Sequence, residues 1–188
     1  MMHVLAITLV LQMHNLAGAP PAEVNKAEFE LARMYDSVGA HLDWDEAAER
    51  RAGDPTIVRV ILLPYETGDL RYTPDTVMGA ALRTGSDTRL VYVFYRRVRA
   101  EAERHGVSTS LLLACAIAHE LGHVLLPGRR HSRDGLMRAC WNSHDFHRAD
   151  QGLLRFSADE AALIRQRVQG STFNVQGGQH TDRLNPER

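Results

Sequence analysis

The chain has 188 residues, 24% of them charged and 44% hydrophobic, enough for one domain with a core of its own. Its 22 basic and 23 acidic residues leave a formal net charge of −1, which argues against a general nucleic-acid binder. No apolar run approaches the roughly 18 residues of a membrane-spanning helix, and two cysteines exclude a disulfide framework.

Val4 to Met13 (VLAITLVLQM) reads as a buried first strand, with β-branched Val4, Ile7, Thr8 and Val10. A secretory signal is the alternative, because Ala17-Gly18-Ala19 follows; no Lys or Arg precedes the run. Pro20-Pro21 opens a helix whose apolar stripe is Val24, Ala27, Leu31, Met34, Tyr35 and Val38, with Gly39 as its stop. His41 to Trp44 is a short strand, and Asp45 to Pro55 is a loop. Ile57 to Leu63 (IVRVILL) is a strand, and Pro64 to Asp75 a loop. Val77 to Leu82 is a short edge strand that turns at Gly85-Ser86-Asp87 into the strand Arg89 to Phe94.

Arg96 to His105 is helical and ends at Gly106. Ser108 caps a long apolar helix from Thr109 to about Leu126, stopped by Pro127-Gly128. Residues 127–156 show little periodicity and read as ordered loop. Ser157-Ala158-Asp159-Glu160 is a capping box for a last helix reaching Gln169. Gly170 to Arg188 is polar and reads as a flexible tail. The order predicts one α/β (α+β) domain over residues 1–169, with a mixed sheet and a C-terminal helix, and a tail over 170–188.

The long helix carries His119-Glu120-Leu121-Gly122-His123. Histidines at i and i+4 lie one turn apart on one face, so both imidazoles can reach one ion. Glu120 is rotated by about 100° from His119 and stands beside that ion, where a carboxylate can take a proton from water. A His-Glu-His stripe left uncompensated in so apolar a helix would be costly to bury. A catalytic zinc needs a third ligand and an open fourth position. His131, just past the Pro127-Gly128 break, is the candidate; His144, His147 and Glu160 are its rivals.

The run HELGH…GRRHS…GLM, residues 119–137, resembles the metzincin metalloproteases and is most similar to their matrixin-like branch, in which Ser follows the third histidine. One departure is visible. The family places Gly three residues after the second histidine, whereas Gly128 is five after His123 and His131 eight after, with Leu126-Pro127 added.

The resemblance implies a zinc metalloendopeptidase of peptide or protein substrates, with zinc on His119, His123 and His131 and Glu120 as general base. It implies that Met137 floors the site and that Met78, Gly79 and Ala80 on the edge strand pair with substrate backbone. Arg138 to His147 would wall a specificity pocket that Trp141 lines, core packing being the other reading of that Trp. It also suggests a secreted or periplasmic setting. No segment ahead of the first strand resembles a cysteine-switch propeptide.

A zinc-holding binding module, or a narrow amide hydrolase of the same fold, is the alternative function. Cys115 reads as buried filler, and a Cys115–Cys140 disulfide is conceivable without being demanded by the spacing. Arg129, Arg130, Arg133 and Arg138 read as a solvated basic loop that could favour acidic substrates.

Overall fold

The computed structural model describes residues 8–45, 57–68, 77–84, 88–129 and 131–176. Five strands are present in these residues: β1 (Thr8–Asn15), β2 (His41–Trp44), β3 (Ile57–Leu63), β4 (Gly79–Thr84) and β5 (Thr88–Phe94). They form one sheet in the order β2-β1-β3-β5-β4. The first four in that order run parallel, and β4 pairs antiparallel with β5 at the edge. The sheet is therefore mixed and mostly parallel, as the predicted α/β class requires.

Helix α1 (Pro21–Asp36) is the crossover that lets β1 and β2 run parallel. Its predicted stripe is buried: Val24, Ala27, Leu31, Met34 and Tyr35. Helix α2 (Tyr95–His105) follows β5 directly and ends at Gly106, which takes a left-handed conformation (φ 63°). Helix α3 (Thr109–Leu125) starts at the Ser108 cap, whose side chain accepts from Leu111 N.

α3 runs through the middle of the molecule, packed on α1, α2, β4 and β5. Leu112 through Ala118 are all buried, so this stretch is apolar on every side. Full burial of a leucine there contributes roughly 1.5–3 kcal/mol. The Tyr35 hydroxyl, buried on α1, donates to the carbonyl of Ala118 at 3.3 Å. That bond anchors α3 immediately before His119.

Two expectations are corrected. Residues 127–156 are not all loop: Ser143–Asp150 forms an eight-residue helix, α4, with Asn142 and Asp145 as a reciprocal capping box. The last helix, α5, runs from Ala158 to Gln176, past the predicted end at Gln169. Gly170 did not stop it, because a glycine inside a helix costs only about 1 kcal/mol. The predicted tail thus shrinks at its start, and residues 177–188 lie outside the described residues.

Smaller shifts occur at the edge strand, which spans Gly79–Thr84, not Val77–Leu82. Val4 to Ile7, the turn at 85–87, and most of the loops at 45–55 and 64–75 also fall outside the described residues. Within those described, no helix is long and apolar enough to cross a membrane.

Candidate functional site

The C-terminal half of α3 presents His119 and His123 on one face, half-buried. Their Nε2 atoms face each other at 3.1 Å. Two imidazole nitrogens that close need a proton or a cation between them. His119 Nδ1 lies 2.7 Å from the carbonyl oxygen of Leu136. A carbonyl only accepts, so Nδ1 carries the proton and Nε2 is left with a free lone pair. Burial holds the His119 pKa below its ordinary 6.5, with the Leu136 bond acting the other way. The ring is therefore neutral at pH 7, as a metal ligand must be.

Pro127 ends the helix. The residue before a proline is pushed out of helical space, and Leu126 is extended (ψ 144°). Its N–H still caps Gly122 O at 2.8 Å. Pro127–Arg129 makes a single 3-10 turn in which Gly128 has φ 81°. That conformation suits glycine. The two added residues are thus absorbed as one extended residue and one turn, and the chain comes back to the helix.

His131 then stands with its ring 4.8 Å from that of His123 and 5.4 Å from that of His119. One ligand atom from each of the three histidines lies within 4.8 Å of the others. His131 is exposed, so the cluster faces solvent on one side. His144 and His147 are exposed on α4 and do not join the cluster.

Glu160 does not join it either. Its carboxylate completes the predicted capping box, accepting from Ser157 N at 2.7 Å while its own N–H reaches Ser157 Oγ at 3.3 Å. Its other oxygen accepts from the hydroxyl of Ser132. Glu160 therefore ties the residue next to His131 to the start of α5, a second task that the capping-box reading did not contain.

The tight turn Ser132–Arg138 is closed by Ser132 N to Met137 O at 2.8 Å. Leu136 N donates to Arg155 O at 2.9 Å. Met137 is fully buried beneath the helix. A Cβ at Gly122 would land on Met137 Sδ, so the glycine in HELGH is what lets the methionine pack against the helix between His119 and His123 in sequence. The pattern HELGH contained that signal, though only the packing shows its use.

Glu120 is 8% exposed and lies under the edge strand. A Cβ at Gly79 would come within 2.7 Å of Glu120 Cγ and 2.8 Å of Tyr92 O. Gly79 thus makes room for Glu120. The backbone N–H of Ala81 donates to the carboxylate, but burial dominates and pushes its pKa up to about 8.

Of the other predicted substrate residues, Met78 is half-buried, and its carbonyl accepts from Phe94 N at 2.8 Å. Ala80 is half-buried in β4, which among the described residues has a strand neighbour on one side only. Trp141 is half-buried, edge-on to His119 with centroids 5.9 Å apart. Its Nε1–H donates to Leu136 O at 3.2 Å.

Cys115 is buried and Cys140 exposed, and both are free thiols. Arg138 pairs with buried Asp145 at 3.0 Å, which takes it out of the solvated basic loop, while Arg133 is exposed. Arg130 lies outside the described residues, as does the side chain of Arg129.

Three imidazoles in mutual reach and a buried carboxylate next along the helix could hold a cation and handle a proton. The chain matches no family model and no curated protein.

Proposed function

We propose that this chain is a zinc-dependent endopeptidase of metzincin type. The observation that carries the reading is the convergence of His119, His123 and His131, with a buried Glu120 next to His119 along the helix. The donor set fits zinc. Zinc–nitrogen bonds of about 2.0–2.1 Å at tetrahedral angles separate two donors by about 3.3 Å, and the two helical Nε2 atoms are 3.1 Å apart. The Leu136 carbonyl leaves His119 in the tautomer such a bond needs.

His119, His123 and His131 would hold the ion. Bound there, zinc supplies Lewis acidity, polarising the scissile carbonyl and making water a nucleophile near neutral pH. Glu120 takes a proton from the attacking water as the C–O bond forms and delivers it to the amine nitrogen as the C–N bond breaks. In the metal-free chain burial favours the protonated carboxyl, and a divalent cation on the three histidines would favour the carboxylate that this step needs. Met137 under Gly122, and the antiparallel edge strand over Glu120, agree with the resemblance of residues 119–137 to that family. The side of β4 that meets no strand among the described residues suits an extended substrate backbone laid along Met78, Gly79 and Ala80.

Glu120→Gln tests the reading. The variant should retain its zinc and lose peptide hydrolysis by about 100- to 10,000-fold, measured on a fluorogenic peptide. Wild-type turnover by a zinc-loaded variant would remove the mechanism. No hydrolysis by the zinc-loaded wild-type chain would favour a binding module, which has no use for that carboxylate.

A further inference from the structure

The carbonyl oxygen of Leu136 accepts two hydrogen bonds, from His119 Nδ1 at 2.7 Å and from Trp141 Nε1 at 3.2 Å. A carbonyl has two lone pairs, so both donors are served. The indole also stands edge-on to the His119 ring, with planes at 84°. Its other side meets Phe146 of α4, with centroids 6.2 Å apart and planes at 85°.

Phe146 is buried, and α4 is held at its start by the Asn142–Asp145 box and by Arg138 on Asp145. On the far side of the peptide chain, Leu136 N is tied to Arg155 O. The carbonyl is thus fixed from two directions, by α4 through Trp141 and by the segment leading into α5.

We propose that Trp141 is a positioning residue for His119. Its indole N–H sets the direction of the Leu136 carbonyl. That carbonyl in turn holds the imidazole with Nδ1–H inward and Nε2 toward the other two histidines. The inference rests on the zinc reading above and deepens it: the aim of one ligand depends on a side chain from a different element. Trp141 acts here through another group and touches no reacting atom. Without the indole donor, the peptide after Leu136 loses one restraint, and the His119 ring can rotate or change tautomer.

The test is Trp141→Phe, which keeps a ring edge and deletes the donor. Zinc affinity, measured by competition with a chromophoric chelator, should fall about ten-fold, the low end for groups that hold a ligating histidine. In the metal-free chain, 15N–1H NMR of His119 should change from one tautomer with a protected Nδ1–H to a mixture with faster exchange. The Tm should hold within a few degrees. Unchanged zinc affinity together with unchanged His119 signals would overturn the proposal.

Should the variant not fold, hydrogen exchange at Trp141 Nε1 in the wild-type chain decides. Slowed exchange supports the shared carbonyl, and exchange as fast as free indole overturns it. A wild-type chain that takes up no zinc, but keeps a protected His119 Nδ1–H that Trp141→Phe exposes, overturns the zinc reading and leaves the role of Trp141 standing.

Discussion

Two stretches of chain build the same cluster by opposite means. His119 and His123 are placed by α3 itself, one turn apart on a helix buried along most of its length. His131 comes from a segment of turns, Pro127 to Arg138, with little secondary structure of its own. What holds that segment is reached from elsewhere: Glu160 on Ser132, Arg155 on Leu136, and Met137 under Gly122. The helix half is local and stiff. The turn half is only as firm as its long-range contacts.

The sharpest way to break that comparison is to remove one ligand from each half. His123→Ala and His131→Ala should each abolish tight zinc binding, because a catalytic zinc is held by three protein ligands. His144→Ala, on the exposed face of α4, should leave it intact. Elemental analysis after dialysis reads all three. Zinc lost from His144→Ala and kept in His131→Ala would reverse the assignment.

Next in size is the packing that joins the halves. Gly79→Ala drives a Cβ against the backbone oxygen of Tyr92 and against Glu120. A backbone atom cannot swing away, so the variant should lose about 1–3 kcal/mol in denaturant unfolding. Gly122→Ala meets the flexible end of Met137 and gains helix propensity of about 1 kcal/mol. Its net loss should be smaller. Equal stability of Gly79→Ala and wild type would mean that β4 does not press on Glu120.

The smallest effect is a pH slope in the metal-free chain. Glu120 has an ordinary pKa of 4.5 and is raised to about 8 when folded. Between those values the folded state holds more protons than the unfolded one, so this group makes stability fall as pH rises. His119 works in the opposite sense, because its folded pKa lies below 6.5 and its share is gained as pH rises toward that value. Of these two groups, Glu120 dominates above about pH 7. The Tm should therefore drop from pH 7 to pH 8, and Glu120→Gln should flatten the drop. A wild-type Tm that holds constant over that window would contradict the burial of an ionisable Glu120.

The same division explains how much was legible from residues alone. Strand β3 falls on the predicted Ile57–Leu63, because a β-branched run between two loops has few other uses. The Ser108 cap and the Pro127 stop bounded α3, since capping and the pre-proline restriction act within a few residues. The spacing of His119 and His123 is local in the same way.

Helix α4 was not legible. It is only eight residues long, and it is fixed by an Asn-x-x-Asp cap and by Phe146 against Trp141 and His105. The second task of Glu160 was hidden because its capping role already accounted for it. The role of the Leu136 carbonyl was invisible for a simpler reason: every residue has a carbonyl, and only the fold decides which one meets a histidine.

The proposed site requires one divalent cation on three imidazoles with a coordination place left for water. Crystals of the wild-type chain loaded with zinc, measured on both sides of the zinc absorption edge, test it directly. One anomalous peak per chain is expected within bonding distance of nitrogens from His119, His123 and His131, with no fourth protein ligand. A peak elsewhere, or a fourth side chain closing the site, would contradict it.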